Sequence, residues 1–248
     1  MLYTPKRIHY GIGDPERSAP LPERFGVLVW NVNKSRRLRE MQRLFAEWER
    51  EWNLQLLLLQ EGRLHPGKPF LLPGFSYDFA ANLQTATDCF GVLTAAKVPS
   101  SNTQAFLSEG REAFLGTRKS FLLTNYPLAQ GGTLLCLNLH AINFRETERY
   151  RKEIEEIKRR LEAHEGAMIV AGDFNSWNPS RHRILKEFAR ELGLERLEIE
   201  EGVKKFRGHP LDLIYYRGVV PLRSRVLSTE GLSDHNPILA EFECPKRS

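Results

Sequence analysis

From residue 25 onward, apolar runs of strand length alternate with stretches of helical spacing. The runs are FGVLVWNV at 25–32, LQLLLLQE at 54–61, CFGVLTAA at 89–96, SFLLTNYP at 120–127, TLLCLNLHA at 133–141, AMIVAGDF at 167–174, LDLIYY at 211–216 and PILAEFE at 237–243. A strand that is apolar at nearly every position, as from Leu54 to Leu59, is covered on both faces, so layers are expected on either side of it. Three helices are readable between the runs. In 36–52, Leu38, Met41, Leu44, Phe45, Trp48 and Trp52 share one stripe, and Tyr150, Ile154, Ile157 and Leu161 do the same in the highly charged 145–163 segment. The third starts at Asn178-Pro179, a polar cap followed by proline in the first turn, and stops at Gly193.

Before residue 25, Pro5, Gly11, Gly13, Pro15, Pro20 and Pro22 break every candidate helix or strand, so residues 1–24 read as an extended arm. Residues 25–244 contain no repeat, low-complexity tract or linker, which predicts one α/β domain. The chain has 248 residues, a size one core can support. Its hydrophobic fraction of 41% excludes a disordered chain, and no stretch approaches the roughly 20 apolar residues of a membrane-spanning helix. The N-terminus lacks the continuous apolar segment of a secretory signal. Three cysteines, Cys89, Cys136 and Cys244, are an odd number, and at least two lie in apolar runs that read as buried strands, so no disulfide framework and a reducing, cytoplasmic setting are expected.

Chemistry concentrates where polar residues interrupt the apolar runs. Asn31 ends the first, Glu61 the second and His140 the fifth, while Asp173 and Asn175 follow AMIVAG. Strand ends at one edge of a sheet are where α/β folds place ligands, because rigid strands hold side chains there. Taken singly, Glu61 reads equally well as a loop-facing carboxylate without a role. Asp173 and Asn175 are two residues apart, on one side of the chain, and could face one phosphate; a turn-forming Asp-x-Asn is the alternative. Ser233-Asp234-His235-Asn236-Pro237 precedes the last run, and a carboxylate beside a histidine can divide metal binding and proton handling between them. Asp212, at the start of LDLIYY, could orient that histidine.

Together, VLVWNVN, LLLLQE, LNLH, VAGDFN, LDLIYYRG and LSDHNPILAEF resemble, in order and over about residues 25–244, the endonuclease/exonuclease/phosphatase superfamily with the DNase I-like fold. That resemblance implies a four-layer α/β/β/α sandwich of two mixed sheets, and phosphoester hydrolysis with Mg²⁺, for which Mn²⁺ could substitute. It implies Glu61 as the main metal ligand, with Asn31 and Asp234 completing the shell, and Asp173 orienting and deprotonating the attacking water. Asn175 and His140 would hold phosphate oxygens. His235, supported by Asp212, would stabilise the transition state or serve as the base; the division between Asp173 and His235 stays open. The run LHAINF, around His140, is similar to an uncharacterised bacterial branch of the superfamily. It brings in Asn143 and Arg145 as further phosphate contacts, with a helix cap the competing role for Asn143.

For the substrate, 36 basic against 31 acidic residues give a net charge of only +5. Position matters more than the total. Basic groups cluster at Lys34 to Arg39, Arg181/Arg183 and Lys204 to Arg207, close to the motif residues, with Trp177 or Phe206 available to stack a base. The interleaved charges from Arg145 to Arg160 read as a solvated helix face. A nuclease acting on DNA or RNA is therefore expected first, with no stable membrane association. A phosphatase or phosphodiesterase for lipid headgroups or small phosphoesters comes second, and a non-catalytic binding module last.

Overall fold

A computed structural model describes residues 3–12, 19–35, 37–67, 72–111, 116–143, 146–199, 201–229 and 231–245. The chain runs through β1 (His9–Ile12), β2 (Arg24–Asn31), α1 (Leu38–Trp52), β3 (Leu54–Leu64), β4 (Ser76–Gln84), β5 (Cys89–Ala96) and β6 (Asn102–Leu107). It continues with β7 (Ser120–Pro127), β8 (Thr133–His140), α2 (Thr147–Leu161), β9 (Ala167–Asp173) and α3 (Pro179–Glu191). The last elements are β10 (Glu195–Arg196), β11 (Lys205–Phe206), β12 (His209–Pro210), β13 (Asp212–Arg217), β14 (Val220–Val226) and β15 (Ile238–Glu243).

One sheet has the order β1-β4-β5-β3-β2-β15-β14 and the other β10-β13-β9-β8-β7-β6, with β11-β12 a small separate hairpin. Each large sheet holds a parallel pair, β2 with β3 in the first and β8 with β9 in the second. A parallel pair needs a crossover, and α1 and α2 supply the two. The chain therefore builds a βαβ unit into each sheet, and both units end at the same edge of the molecule.

Three apolar clusters define four layers. Met41, Phe45, Trp48 and Trp52 of α1 pack on Leu28, Trp30 and Leu57 of the first sheet. Val27, Val29, Leu56 and Leu58 face Cys136, Ile169, Ala171 and Ile214 across the space between the sheets. Tyr150, Ile154, Ile157 and Leu161 of α2, with Ile184, Leu185 and Phe188 of α3, cover the outer face of the second sheet. The architecture is the expected α/β sandwich. All three helices lie where the spacing puts them, and Asn178 caps α3, its side chain accepting from Arg181 N at 2.8 Å. The Leu38 side chain and Arg36 fall outside the described residues. All three cysteines are free and buried, and no helix among the described residues is long and apolar enough to cross a membrane.

Besides the two-residue strands β10, β11 and β12, four strands escape the sequence reading, and their composition explains it. β1 is a strand where none was expected: His9–Ile12 pairs with β4 at the sheet edge, and Leu21, fully buried, bridges to Leu128. β6 and β14 are also edge strands, polar enough to avoid pairing with other chains. β4 is interrupted by Asp78 and Asn82, residues of low strand propensity.

Beyond Glu61, Arg63 on β3 is gripped by both oxygens of Asp88 at 2.9 Å, which pins the strand to the β4–β5 turn. The Arg63 hydrogen bonds, working against burial and helped by Thr87, hold the Asp88 carboxyl down at about 2. An unfolded aspartate titrates near ~3.9, so this stabilisation is whole above that pH and fades as pH falls through about 2. Asp88→Asn should lower the melting temperature at neutral pH by a few degrees, for a loss of about 1 kcal/mol in a domain of this size. Thermal melts should show the gap to the wild type closing by about pH 2; a gap independent of pH would show that Asp88 does not act through its charge.

Candidate active site

The two βαβ units place Asn31 at the end of β2, Glu61 near the end of β3, His140 at the end of β8 and Asp173 at the end of β9. His140 and Asp173 are register partners, as are Asp173 and Asp212 on antiparallel β13. His235 lies three residues before Ile238, which pairs with Val29 of β2. Six residues separated by up to about two hundred positions in the chain thus meet at one edge.

The backbone is bent to bring them there. Of the seven described non-glycine residues with positive φ, five belong to this edge: Asn33, Lys34, Ser35, Glu61 at 51° and Asn175 at 48°. Such conformations persist only where the surroundings fix them. Glu61 sits in a bulge of β3, between its pairings at Leu59 and Gly62, which turns the carboxylate out of the sheet. Gly172 has φ 143°, and a Cβ there would lie 2.0 Å from Leu139 O, so only glycine lets β9 approach β8 just before Asp173.

Asp173 is the centre of the polar array. Its Oδ2 accepts from Asn31 Nδ2 at 3.1 Å and lies 3.5 Å from His140 Nε2 and 3.8 Å from His235 Nε2; its Oδ1 accepts from Asn175 N at 3.0 Å. Burial, then the neighbouring charge of Asp212, pushes its carboxyl up to about 6 against the pull of His235 and Lys119. His235 Nδ1 is 2.7 Å from Asp212 Oδ2. Burial works against a charged His235, but the Asp212 hydrogen bond and the charges of Asp212 and Asp173 outweigh it and raise its pKa. His140 moves the other way, held well below the ordinary imidazole value by burial and by the positive charges of Lys119 and His235. Among the described residues, Asp173, Asp212 and His235 are also the one group of three or more acidic, imidazole or thiol side chains whose ligand atoms lie within 4.8 Å of one another.

Eight predicted residues line one half-open cavity of about 280 Å³: Lys34, Glu61, His140, Asn143, Asp173, Asn175, Asp234 and His235. Asn31 and Asp212 stand directly behind it, bonded to Asp173 and His235. Asp234 is paired with Lys204 on the cavity wall; burial would raise its pKa, but that hydrogen bond and the charge of His235 lower it. Asn143 does not cap α2, whose cap position is Glu146. Trp177 is not part of the cavity wall; it packs against Phe206 and stacks on Arg181. Arg145 lies outside the described residues.

Two residues of the site were not legible as such. Lys119 is buried with its Nζ 2.9 Å from His140 Nε2, on the cavity wall. Its signal was available: β7 and β8 are antiparallel neighbours, so a charge just before the β7 run must lie beside the end of β8. Arg181, read as a rim cation, is instead wholly buried between the rings of Tyr150 and Trp177. Its Nη1 donates to Asn175 O at 2.8 Å and Ile142 O at 3.0 Å, while Glu153 accepts from Ile142 N and Tyr150 donates to Phe174 O. The two outer helices therefore clamp both strand-end loops of the second sheet from beneath. Arg181→Met leaves two buried carbonyls unanswered and should cost on the order of 3 kcal/mol, seen as a melting temperature lowered by roughly 6–12 °C. A loss under about 1 kcal/mol would mean the loops hold without it.

The family model described as the Endonuclease/Exonuclease/phosphatase family matches residues 28–235. A UPF0294 protein of Yersinia enterocolitica is 35% identical over 237 residues, covering 91% of this chain and 86% of the relative. Among solved structures, an endonuclease/exonuclease/phosphatase family protein from Leptotrichia buccalis superposes with a TM-score of 0.68 at 14% identity, over 88% of this chain and 99% of that one. TDP2 from D. rerio, complexed with a single-strand DNA product, gives 0.65 at 15% identity, over 89% and 99%. Strand ends from two sheets, the converging polar residues and the match across nearly the whole domain lead to one statement: the chain belongs to the endonuclease/exonuclease/phosphatase family, whose members are phosphoesterases.

Proposed function

We propose that this protein is a divalent-metal-dependent phosphodiesterase that hydrolyses nucleic-acid strands. The observation that carries this reading is the lining of the cavity, where Lys34, Lys119 and Lys204 stand around the carboxylates with the amides of Asn82, Asn143 and Asn175. A phosphodiester is anionic and repels a nucleophilic hydroxide, so hydrolysis calls for positive donors around the phosphate and a base beside the water. The single-strand DNA product held by the D. rerio protein shows that this fold can hold such a substrate in another member.

The family is divalent-metal dependent, and the donor set here fits a hard ion. Glu61 and Asp234 line the cavity with hard carboxylate oxygens, and no cysteine lines it. Glu61, with Asn31 and Asp234, would hold Mg²⁺ or Mn²⁺, which prefer one or two carboxylates and retained waters. Such an ion would offset the phosphate charge and polarise its oxygens.

The remaining work falls to the chain. Asn31 and the Asn175 amide fix the Asp173 carboxylate so that it can orient the attacking water and take its proton. His235, aligned by Asp212 and facing Asp173, stabilises negative charge on the phosphoryl oxygens. Asn175, kept in place through its Nδ2 bond to Ala141 O, and the His140–Lys119 pair contact the non-bridging oxygens.

Purified protein should cleave DNA or RNA with Mg²⁺ or Mn²⁺ and stop in EDTA, while Asp173→Asn and His235→Ala each lose roughly 10²–10⁴-fold in rate. A phosphate-release panel of inositol phosphates, phospholipids and nucleotides should stay silent. Release from that panel with intact nucleic acid would instead establish a phosphatase.

A further inference from the structure

The catalytic cavity does not end at the motif residues. Asn82, Leu83 and Thr117 form its wall on one side and also line a second cavity of about 430 Å³. The floor of that cavity is the end of β4. One side is the N-terminal arm, where Tyr3 pairs with Gln84 through two backbone hydrogen bonds of 2.8 and 3.0 Å. The opposite side carries Arg111 and Arg118, both exposed. Asn82 donates to Arg118 O at 2.8 Å, which ties the Arg118 backbone to the groove, and the Arg111 side chain is held there by its Nη1, which donates to Gly116 O at 2.8 Å.

The sequence of this wall alternates between the cavities. Thr117 faces both, Arg118 lines the second and Lys119 the first. Consecutive residues, about 3.8 Å apart at Cα, thus line adjoining cavities. One cation is thereby offered in each of two adjoining cavities, to two anionic groups of one extended ligand. A small phosphoester occupies only the first cavity and has no use for the second.

We propose that the Arg111/Arg118 groove, walled by the N-terminal arm, is a subsite for the phosphate next to the scissile one in a single nucleic-acid strand. This rests on the nucleic-acid reading above and deepens it: the arm that docks as an edge of the first sheet becomes part of the substrate channel, and the direction in which the strand leaves the catalytic cavity is set. Neither Arg111 nor Arg118 lines the catalytic cavity, so the subsite and the chemistry can be separated.

The test measures two things on the full chain. Binding of a fluorescein-labelled single-stranded oligodeoxynucleotide is followed by anisotropy in EDTA across a salt series, and hydrolysis of bis(para-nitrophenyl) phosphate is followed with Mn²⁺. The double variant Arg111→Gln, Arg118→Gln should weaken oligonucleotide binding about tenfold, as expected for one charge-assisted contact, and reduce the salt slope by about 0.7, the value for one single-strand phosphate. Arg111→Lys, Arg118→Lys should keep the slope, and both variants should hydrolyse the small diester at the wild-type rate. Unchanged binding and slope in the glutamine variant would overturn the subsite, as would a parallel fall in small-diester hydrolysis. A wild type that cleaves nucleic acid while the variant binds normally refutes the subsite alone; a wild type that neither binds nor cleaves it refutes both readings.

Discussion

A buried carboxylate must be answered by donors, and the architecture at the catalytic edge follows from answering Asp173. The side chain is 3% exposed and sits opposite a second buried carboxylate, Asp212. Leaving two such groups unanswered would cost several kcal/mol. Its partners come from both sheets: Asn31 from the first, His140 and Asn175 from the second, and His235 from the segment that leads back into the first. Sheet packing alone brings strand ends to one edge. Asp173 makes their side chains converge, and the same convergence leaves a small polar cavity where an anion and a cation can be held together.

The strain needed for that convergence is localised. Glu61 and Asn175 hold positive φ angles at the two strand ends that face each other across the cavity, and each is fixed by different means. A bulge aims Glu61, whereas Asn175 is clamped by Arg181 on its carbonyl and by Ala141 on its side chain. Between the sheets, Gln60 donates to Asn138 at 2.8 Å, and Asn138 in turn donates to Leu93 O, a fully buried polar bridge one residue before Glu61 and two before His140. The apolar layers supply the rigid frame, and this bridge sets the relative position of the two strand pairs within it.

How far the sequence reveals this depends on whether a residue's role is local. The buried strands and three helices are written in runs and stripes, so their places could be read directly, and Asn31, Glu61, His140 and Asp173 stand out as polar ends of apolar runs. β1, β6 and β14 could not be read in that way, because edge strands face solvent and carry the polar pattern of loops. Lys119 was missed, and Arg181 was read as a rim cation, for a related reason. A charged side chain in a polar stretch looks solvated until the neighbouring strand or helix is known, and both are buried by elements distant in sequence. Asn143 looked like a cap because a helix follows, yet the helix starts four residues later and Asn143 lines the cavity.

The central claim is that the two sheets' strand ends act on one phosphate beside one metal ion. The most direct measurement is a crystal structure with Mn²⁺ and a non-hydrolysable phosphorothioate oligonucleotide, using anomalous scattering to locate manganese and sulfur independently. Manganese is expected at Glu61, with the substituted phosphate enclosed by Asn175, His140 and His235. Manganese elsewhere, or a phosphate seated away from Asp173 and His235, would contradict it.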